Sequence, residues 1–392
     1  MSTPPLKRWD TAIVLGLVLL WLAITAWMRP LMHPDEGRYA TVAWEMVRSG
    51  DWLTPTLNGM PFFHKPPLFY WITAAALWLL GPIEIAARTA SILGASLGAM
   101  ALYLFTRRWC GQRLAQRSLL VLLVLPMYFT AAQFANLDML VAGCITATIL
   151  ALAHGALCFE QDLSYRRILW LAYGLAGLGL LAKGLIGFVI PAMVIGLWLL
   201  LRWRWRTLWA LVSVPGLILL LVVTAPWFIA MQQRFDGFLY YFFVVQHFQR
   251  FAATGFNNVQ PWWFYPAVLA LCSFPAVLWL RRVFARDYFT ANDTPGAVRL
   301  LMGLSVACVL LFFSIPQSKL LGYILPAVPA LAWLIADASY LAVETAARKR
   351  RWAITLAVSA LVGLVAIIGL SIDTKHSSKP LGVALRAHYQ AG

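Results

Sequence analysis

The chain has 392 residues, of which 61% are apolar and 12% charged, about half the charged share of a soluble domain. That composition excludes a soluble globular fold, which has no core large enough for so much apolar surface, and a disordered chain, which needs the reverse balance. The net charge of +16 sits in short basic clusters between apolar runs, the pattern of membrane-protein loops and not of a nucleic-acid interface.

A helical span needs about 20 mostly apolar residues. The sequence predicts eleven, near 11–28, 86–106, 117–133, 138–158, 168–182, 185–201, 208–230, 262–280, 299–315, 320–341 and 353–371. The first reads as a span and not as a cleaved leader: no small-residue cleavage site precedes Met28-Arg29-Pro30, and further spans follow. On alternate sides of these spans, 19 of the 31 Lys and Arg fall on the side of the N-terminus. This predicts a cytoplasmic N-terminus. Two long loops, 29–85 and 231–261, are then periplasmic, and the chemistry is expected there because long loops in compact proteins are usually functional. The expected organisation is one transmembrane domain over 1–371 and a short periplasmic tail over 372–392, with a truncated C-terminal region as the other reading of that tail. There is no internal repeat of the transporter kind. Cys110, Cys144, Cys158, Cys272 and Cys308 are scattered in or beside apolar runs without metal-motif spacing.

The first outer loop opens His33-Pro34-Asp35-Glu36-Gly37-Arg38-Tyr39. Tyr39, Val42, Ala43, Met46 and Val47 follow at helical spacing, with Arg38, Thr41, Glu45 and Arg48 off that face. This predicts an amphipathic helix lying on the membrane and ended by Ser49-Gly50. Asp35 reads two ways, as its N-cap or, with Glu36, as an acidic pair placed to act as base or hold a cationic group. The loop continues Phe62-Phe63-His64-Lys65-Pro66-Pro67-Leu68-Phe69-Tyr70-Trp71. The prolines place Lys65 just before a helix N-terminus, where the dipole already favours an anion.

Asp138, in Asn136-Leu137-Asp138, is a lone acid at the outer end of a span, costly unless paired or facing water; a helix cap is the other reading. Lys183-Gly184 interrupts another apolar stretch at the same face. In the second long loop, His247 and Arg250 precede Pro261-Trp262-Trp263-Phe264-Tyr265, and the Arg250 guanidinium offers bidentate geometry to a phosphate. Lys319 and Tyr323 are four apart and share a face if a helix has begun. His33, His64 and His247 lie on the outer side, but their separation gives no zinc-site spacing, so no metal ligands are assigned and a divalent metal stays open. These cations, carboxylates and aromatics suit a substrate with a phosphate, an apolar tail and a polar head, and composition alone selects no particular lipid phosphate.

The stretches His33-Pro34-Asp35-Glu36-x-Arg38-Tyr39, Gly50-Asp51-Trp52 and Phe63-His64-Lys65-Pro66-Pro67-Leu68-x-Tyr70-Trp71 resemble the bacterial integral-membrane glycosyltransferases of the GT-C superfamily. Within it the chain resembles the lipid A aminoarabinose transferases and relatives of the protein O-mannosyltransferases. The likeness recurs at Asn136-Leu137-Asp138, Leu181-Ala182-Lys183-Gly184, His247-Phe248-x-Arg250-Phe251, Pro261-Trp262-Trp263 and Ser318-Lys319-Leu320-x-Gly322-Tyr323, so it spans roughly 30–330.

The resemblance implies an all-α polytopic fold, a GT-C-type bundle of about eleven transmembrane helices with juxtamembrane helices in the first periplasmic loop. It implies an inverting transferase of the bacterial inner membrane, with an undecaprenyl-phosphate-linked sugar as donor and lipid A or another glycolipid as acceptor. Asp35 matches the catalytic carboxylate, with Asp138 the second acid and Glu36 beside them. Lys65 and Arg250 match the cations on the donor phosphate, with Tyr323 and Lys319 nearby. Tyr39, His64, Tyr70, Lys183 and His247 are the expected substrate-binding residues. The chain departs from the aminoarabinose group in carrying His64 where an acid usually precedes Lys-Pro-Pro. A protein or other hydroxyl acceptor is the alternative, and a lipid-linked sugar flippase is the rival of another class, disfavoured because charges sit at span ends and not at the midplane.

Overall fold

The computed structural model describes residues 8–249, 258–285, 287–289, 293–342, 345–372 and 377, with the side chains of 8, 9 and 247–249 outside that description. After α1 (Arg8–Ala23) the first outer loop forms α2 (Asp35–Ser49), a hairpin of β1 (Thr56–Leu57) antiparallel to β2 (Met60–Pro61), and α3 (Leu68–Leu80). Then come α4 (Glu84–Cys110), α5 (Gln112–Val124), α6 (Pro126–Ala132), α7 (Leu137–Glu160), α8 (Arg166–Lys183), α9 (Ile186–Leu201), α10 (Trp205–Ala210) and α11 (Val214–Arg234). A π-helical stretch, Tyr240–Gln249, follows. The last described helices are α12 (Phe264–Cys272), a 3-10 turn (Ala276–Phe284), α13 (Thr294–Ser314), a second 3-10 turn (Leu321–Ala327) running into α14 (Val328–Ala342), and α15 (Ala346–Ile372).

α7 is the central helix, buried along almost its whole length. It reaches α4 through Gly94 and Gly143: a Cβ on Gly143 would strike the Gly94 backbone, and one on Gly94 the backbone of Met139 and Leu140. Gly179 of α8 and Gly187 of α9 meet the same way. Close backbone approach through small residues suits a bilayer, where no hydrophobic force holds apolar helices together. On the outside, Ile218, Leu221 and Val222 of α11 and Leu361, Val365 and Ile368 of α15 are exposed, an apolar surface matched to lipid.

All eleven predicted stretches fall largely on helix, but their number of crossings is not established by helix length. Among the described residues six helices are long and apolar enough to cross a bilayer, or eight if each bent pair counts as one span. The pair α5 and α6 bends by 67° at Leu125-Pro126, and α12 and its following 3-10 turn bend by 120°. Hydropathy reads both as straight spans; the prolines at 126 and 275, which lack an N–H and cannot continue an α-helix, divide them. α1, α3 and α9 are shorter apolar helices.

α2 has the predicted C-terminal stop and face. Gly50 caps it in the left-handed conformation at φ 73°, its N–H bonded to the Met46 carbonyl. The buried side carries Tyr39, Val42, Ala43 and Met46. That face is covered by protein, not lipid: the Tyr39 ring meets Phe69 and Tyr70 of α3 at 5.9 and 6.2 Å. Glu45, on the polar side, holds the hairpin through Thr56 Oγ1 at 2.7 Å and the N–H groups of Asn58 and Gly59 at 2.6 and 3.2 Å.

Candidate active site

Glu36 is completely buried and accepts hydrogen bonds from five donors. The Arg29 guanidinium reaches it at 2.5 Å and the Arg88 guanidinium at 2.9 and 3.1 Å. The backbone N–H groups of Met32 and Ala135 add bonds of 3.0 and 2.9 Å. The two arginines, 2% and 0% exposed, spend their other donors on carbonyls of Ala26, Arg29, Pro30 and Gln133. The cluster ties the start of the outer loop to α4 and to the segment before α7. Burial pushes the Glu36 carboxyl up, but the Arg88 and Arg29 guanidiniums outweigh it and hold the group below the usual carboxylate range. Such a carboxylate has no lone pair left for a substrate proton. The geometry therefore places Glu36 as a structural anchor beside Asp35, not as its catalytic partner.

Asp35 is the first residue of α2, and the N-cap is Pro34, with no side-chain cap bond; the capping reading of Asp35 does not hold. Its carboxylate stays about one-third exposed, 3.7 Å from the Arg38 guanidinium one turn on. Arg38 separates two cavities. One, of about 340 Å³, is lined by Arg38, Tyr39, Phe62, His64, Lys65 and Gln246. The other, of about 660 Å³, lies between α2, α3 and α4, with Pro30, His33, Thr41, Trp44 and Leu77 in its wall. Lys65 stands three residues before Leu68, the first residue of α3, as its prolines predicted. The His64 ring rests on Phe62 at 4.7 Å and faces Tyr241 at 6.3 Å. Tyr70 is fully buried behind Tyr39, and its hydroxyl has no hydrogen-bond partner among the described residues.

The loop is fixed at its far side by Asp51. This carboxylate accepts from the Leu53 and Thr54 N–H groups and pairs with Arg234 of α11 at 2.6 Å. Against a small cost of burial, those N–H groups and Arg234 draw its carboxyl below the usual range. The Trp227 indole donates to the Leu53 carbonyl at 2.9 Å. Around this seam Phe63, Trp71, Phe228, Phe238 and Phe242 pack into a separate apolar cluster.

A second polar group forms where α7, α8 and the Leu321–Ala327 turn meet. Asp138 pairs with Lys183, and both are mostly buried. Asn136 is the N-cap of α7, its side chain accepting from the Asp138 N–H at 3.0 Å, so Asp138 is left to face Lys183. The Lys183 ammonium lies 4.3 Å from the centre of the Tyr323 ring, a cation–π arrangement. A Cβ on Gly322 would run into the Asp138 carboxylate.

Lys319 belongs to neither group. It precedes the 3-10 turn, which begins at Leu321, so it does not share a helical face with Tyr323. It is 4% exposed, and its ammonium donates to the carbonyls of Gln260 and Pro316 at 2.9 and 2.7 Å. Beside it, Val259 bridges Ser318. The geometry makes Lys319 a clasp between two outer segments and not a cation turned to a phosphate. The His247 side chain and Arg250 lie outside the described residues.

Sequence reasoning brought Asp138, Lys183 and Tyr323 forward separately, and the fold joins them. It missed Arg29, Arg88 and Arg38. Arg88 had a visible signal, a single charge in the first turns of an apolar span. Among the described residues no group of three or more His, Cys, Asp and Glu side chains converges. Chemically, the smaller cavity offers two cations for an anion, aromatic walls, and a partly exposed carboxylate reached through Arg38.

Residues 64–229 match the family described as dolichyl-phosphate-mannose-protein mannosyltransferase. The chain is 36% identical over 332 residues to the undecaprenyl phosphate-alpha-4-amino-4-deoxy-L-arabinose arabinosyl transferase 1 of Sodalis glossinidius, covering 82% of this chain and 58% of that protein. It is 31% identical over 388 residues to the transferase of that name from Pectobacterium atrosepticum, covering 97% and 68%. The chain thus spans roughly three-fifths to two-thirds of the relatives' length. A crystal structure of ArnT from Cupriavidus metallidurans bound to undecaprenyl phosphate superposes with a TM-score of 0.77 at 30% identity, over 92% of this chain and 65% of that one. The GT-C-type helical bundle is therefore the fold of this multi-pass membrane protein.

Proposed function

This chain belongs to the family of undecaprenyl phosphate-alpha-4-amino-4-deoxy-L-arabinose arabinosyl transferases, and from that premise we propose that it moves a sugar from an undecaprenyl-phosphate donor to lipid A or another cell-envelope glycolipid. The observation that carries the reading is the cavity of about 340 Å³ that Arg38, His64 and Lys65 line on the first outer loop, with Asp35 within reach of Arg38. The domain is the transmembrane bundle of residues 1–371. It lies in the bacterial inner membrane with its N-terminus in the cytoplasm and this cavity at the periplasmic face, an orientation supported by the excess of Lys and Arg on the N-terminal side.

In the reaction the bond from the anomeric carbon to the donor phosphate breaks, and its electron pair leaves with the polyprenyl phosphate. The acceptor oxygen attacks from the opposite face, which inverts the centre and needs no enzyme nucleophile. Lys65, assisted by Arg38 and Arg250, neutralises the charge growing on the phosphate, an electrostatic effect that usually dominates. Asp35 orients an anionic acceptor or pairs with a sugar amine. With a hydroxyl acceptor, the second reading that the mannosyltransferase match over 64–229 favours, Asp35 takes the hydroxyl proton as general base. Asp138 serves as the second acid, with Lys183 as its ion-pair partner and Tyr323 beside them.

The test mixes the purified protein with polyprenyl-phosphate sugars and candidate acceptors, and follows released polyprenyl phosphate by mass spectrometry. Acceptor-dependent release is expected, reduced about 10²- to 10³-fold by Lys65→Ala and strongly by Asp35→Asn. Movement of the lipid across vesicles without release would sink the transferase reading in favour of a flippase.

A further inference from the structure

α4 runs from Glu84, one turn before the Arg88 that meets Glu36, to Cys110, a 27-residue helix about 40 Å long. At its far end, opposite the candidate active site, a groove of about 700 Å³ opens between the first turns of α5, the end of α14 and the start of α15. Arg113, Arg117 and Lys349 line it, and no carboxylate does among the described residues. None of the three has an ion-pair partner there. Some other basic positions at this end are ion-paired: Arg202 forks onto Glu160 at 3.1 and 2.8 Å, and Arg299 pairs with Asp337 at 2.8 Å.

The groove is built as well as charged. The Arg117 guanidinium lies over the Tyr340 ring at 5.1 Å, and its Nη1 is buried without a hydrogen-bond partner among the described residues. Three cations lining one groove with no counter-charge among the described residues repel one another, and a desolvated donor left unpaired is costly. An anion with several acceptor oxygens relieves both. Leu120 and Leu341, in the same wall, are 47% and 41% exposed, so the groove has an apolar lip on the bundle's side. We propose that this groove is a binding site for the phosphate headgroup of an anionic phospholipid in the leaflet opposite the candidate active site, its acyl chains descending along Leu120 and Leu341. A soluble phosphate shares the headgroup chemistry but has no use for that lip. Basic pockets between helices are a known way of holding such lipids.

The test uses the full chain in nanodiscs of phosphatidylcholine mixed equally with phosphatidylglycerol, and counts the lipids it keeps by native mass spectrometry. Arg113 and Lys349 are exposed, so Arg113→Gln and Lys349→Gln leave the fold intact, which thermal melting in pure phosphatidylcholine checks. The expected result is selective retention of phosphatidylglycerol by wild type, about fivefold weaker for each charge removed. Lys349→Arg keeps the preference. So does Arg166→Gln/Arg167→Gln, which removes two exposed charges away from the groove. Equal retention of the two lipids, or an equal loss in the 166/167 control, overturns the site. Displacement of the retained lipid by millimolar inorganic phosphate makes it a soluble-anion site and overturns the lipid assignment. None of these readouts depends on transferase activity.

Discussion

Asp138 and Lys183 form an ion pair between the outer ends of α7 and α8, and Gly322 closes on that pair so tightly that its missing side chain is what leaves room for the carboxylate. The pair is mostly buried and stacks beneath Tyr323.

Gly322→Ala is therefore expected to displace the Asp138 carboxylate. Overpacking of this kind costs about 1–3 kcal/mol, and glycosyl transfer should fall with it. Gly369→Ala is the control, since nothing lies within 4 Å of a Cβ there. Melting in detergent and turnover, measured on both variants, separate a local effect at the pair from a general one. Unchanged turnover in Gly322→Ala would remove the pair from the site.

Glu36→Gln leaves Arg29 and Arg88 buried with their charge uncompensated. Breaking a buried ion pair by removing one partner costs about 3–5 kcal/mol, so a large drop in melting temperature is expected. Asp51→Asn loosens a pair whose partners are 31% and 48% exposed. There solvent screening limits the loss to about 1 kcal/mol or less. Melting temperatures of the two variants side by side test this ranking.

The stabilisation by Glu36 has a defined acid limit. Its folded carboxyl titrates below the ordinary 4.5, so on acidification the unfolded chain takes up the proton first. The contribution is complete above the unfolded value and is lost as pH falls through the lower folded one. The gap in melting temperature between wild type and Glu36→Gln should stay constant from pH 7 to about pH 5 and narrow below it. A gap that narrows only on the alkaline side would contradict the ion-cluster assignment.

Tyr39→Ala opens the face of α2 that packs on Phe69 and Tyr70. A buried aromatic truncated to alanine costs about 3–5 kcal/mol. Tyr39→Phe keeps the ring contacts and should melt close to wild type, which a direct comparison of the two variants reads.

The features legible in the sequence are those encoded over a few residues. The apolar face of α2, its stop at Gly50, the prolines that set Lys65 before α3, and the apolar stretches themselves depend on helical periodicity, caps and the missing N–H of proline. Each acts within one or two turns. The fold class and the basic asymmetry were readable for the same reason, being properties of composition along the chain.

Tertiary structure decided which charges meet. Glu36 takes Arg88 and the Ala135 N–H, 52 and 99 residues away, and this turns an apparent half of an acidic pair with Asp35 into a buried anchor. Asp138 finds Lys183 across 45 residues, while Lys319 turns back to Gln260 across 59 and leaves Tyr323. Such partners are chosen by how α4, α7 and α8 pack at glycines, and local spacing carries no record of that packing. Hydropathy likewise registers apolar length but not the 120° bend after α12. The sequence by itself determined a helical membrane protein; the packing of its helices decided which of its charges are locked into buried pairs.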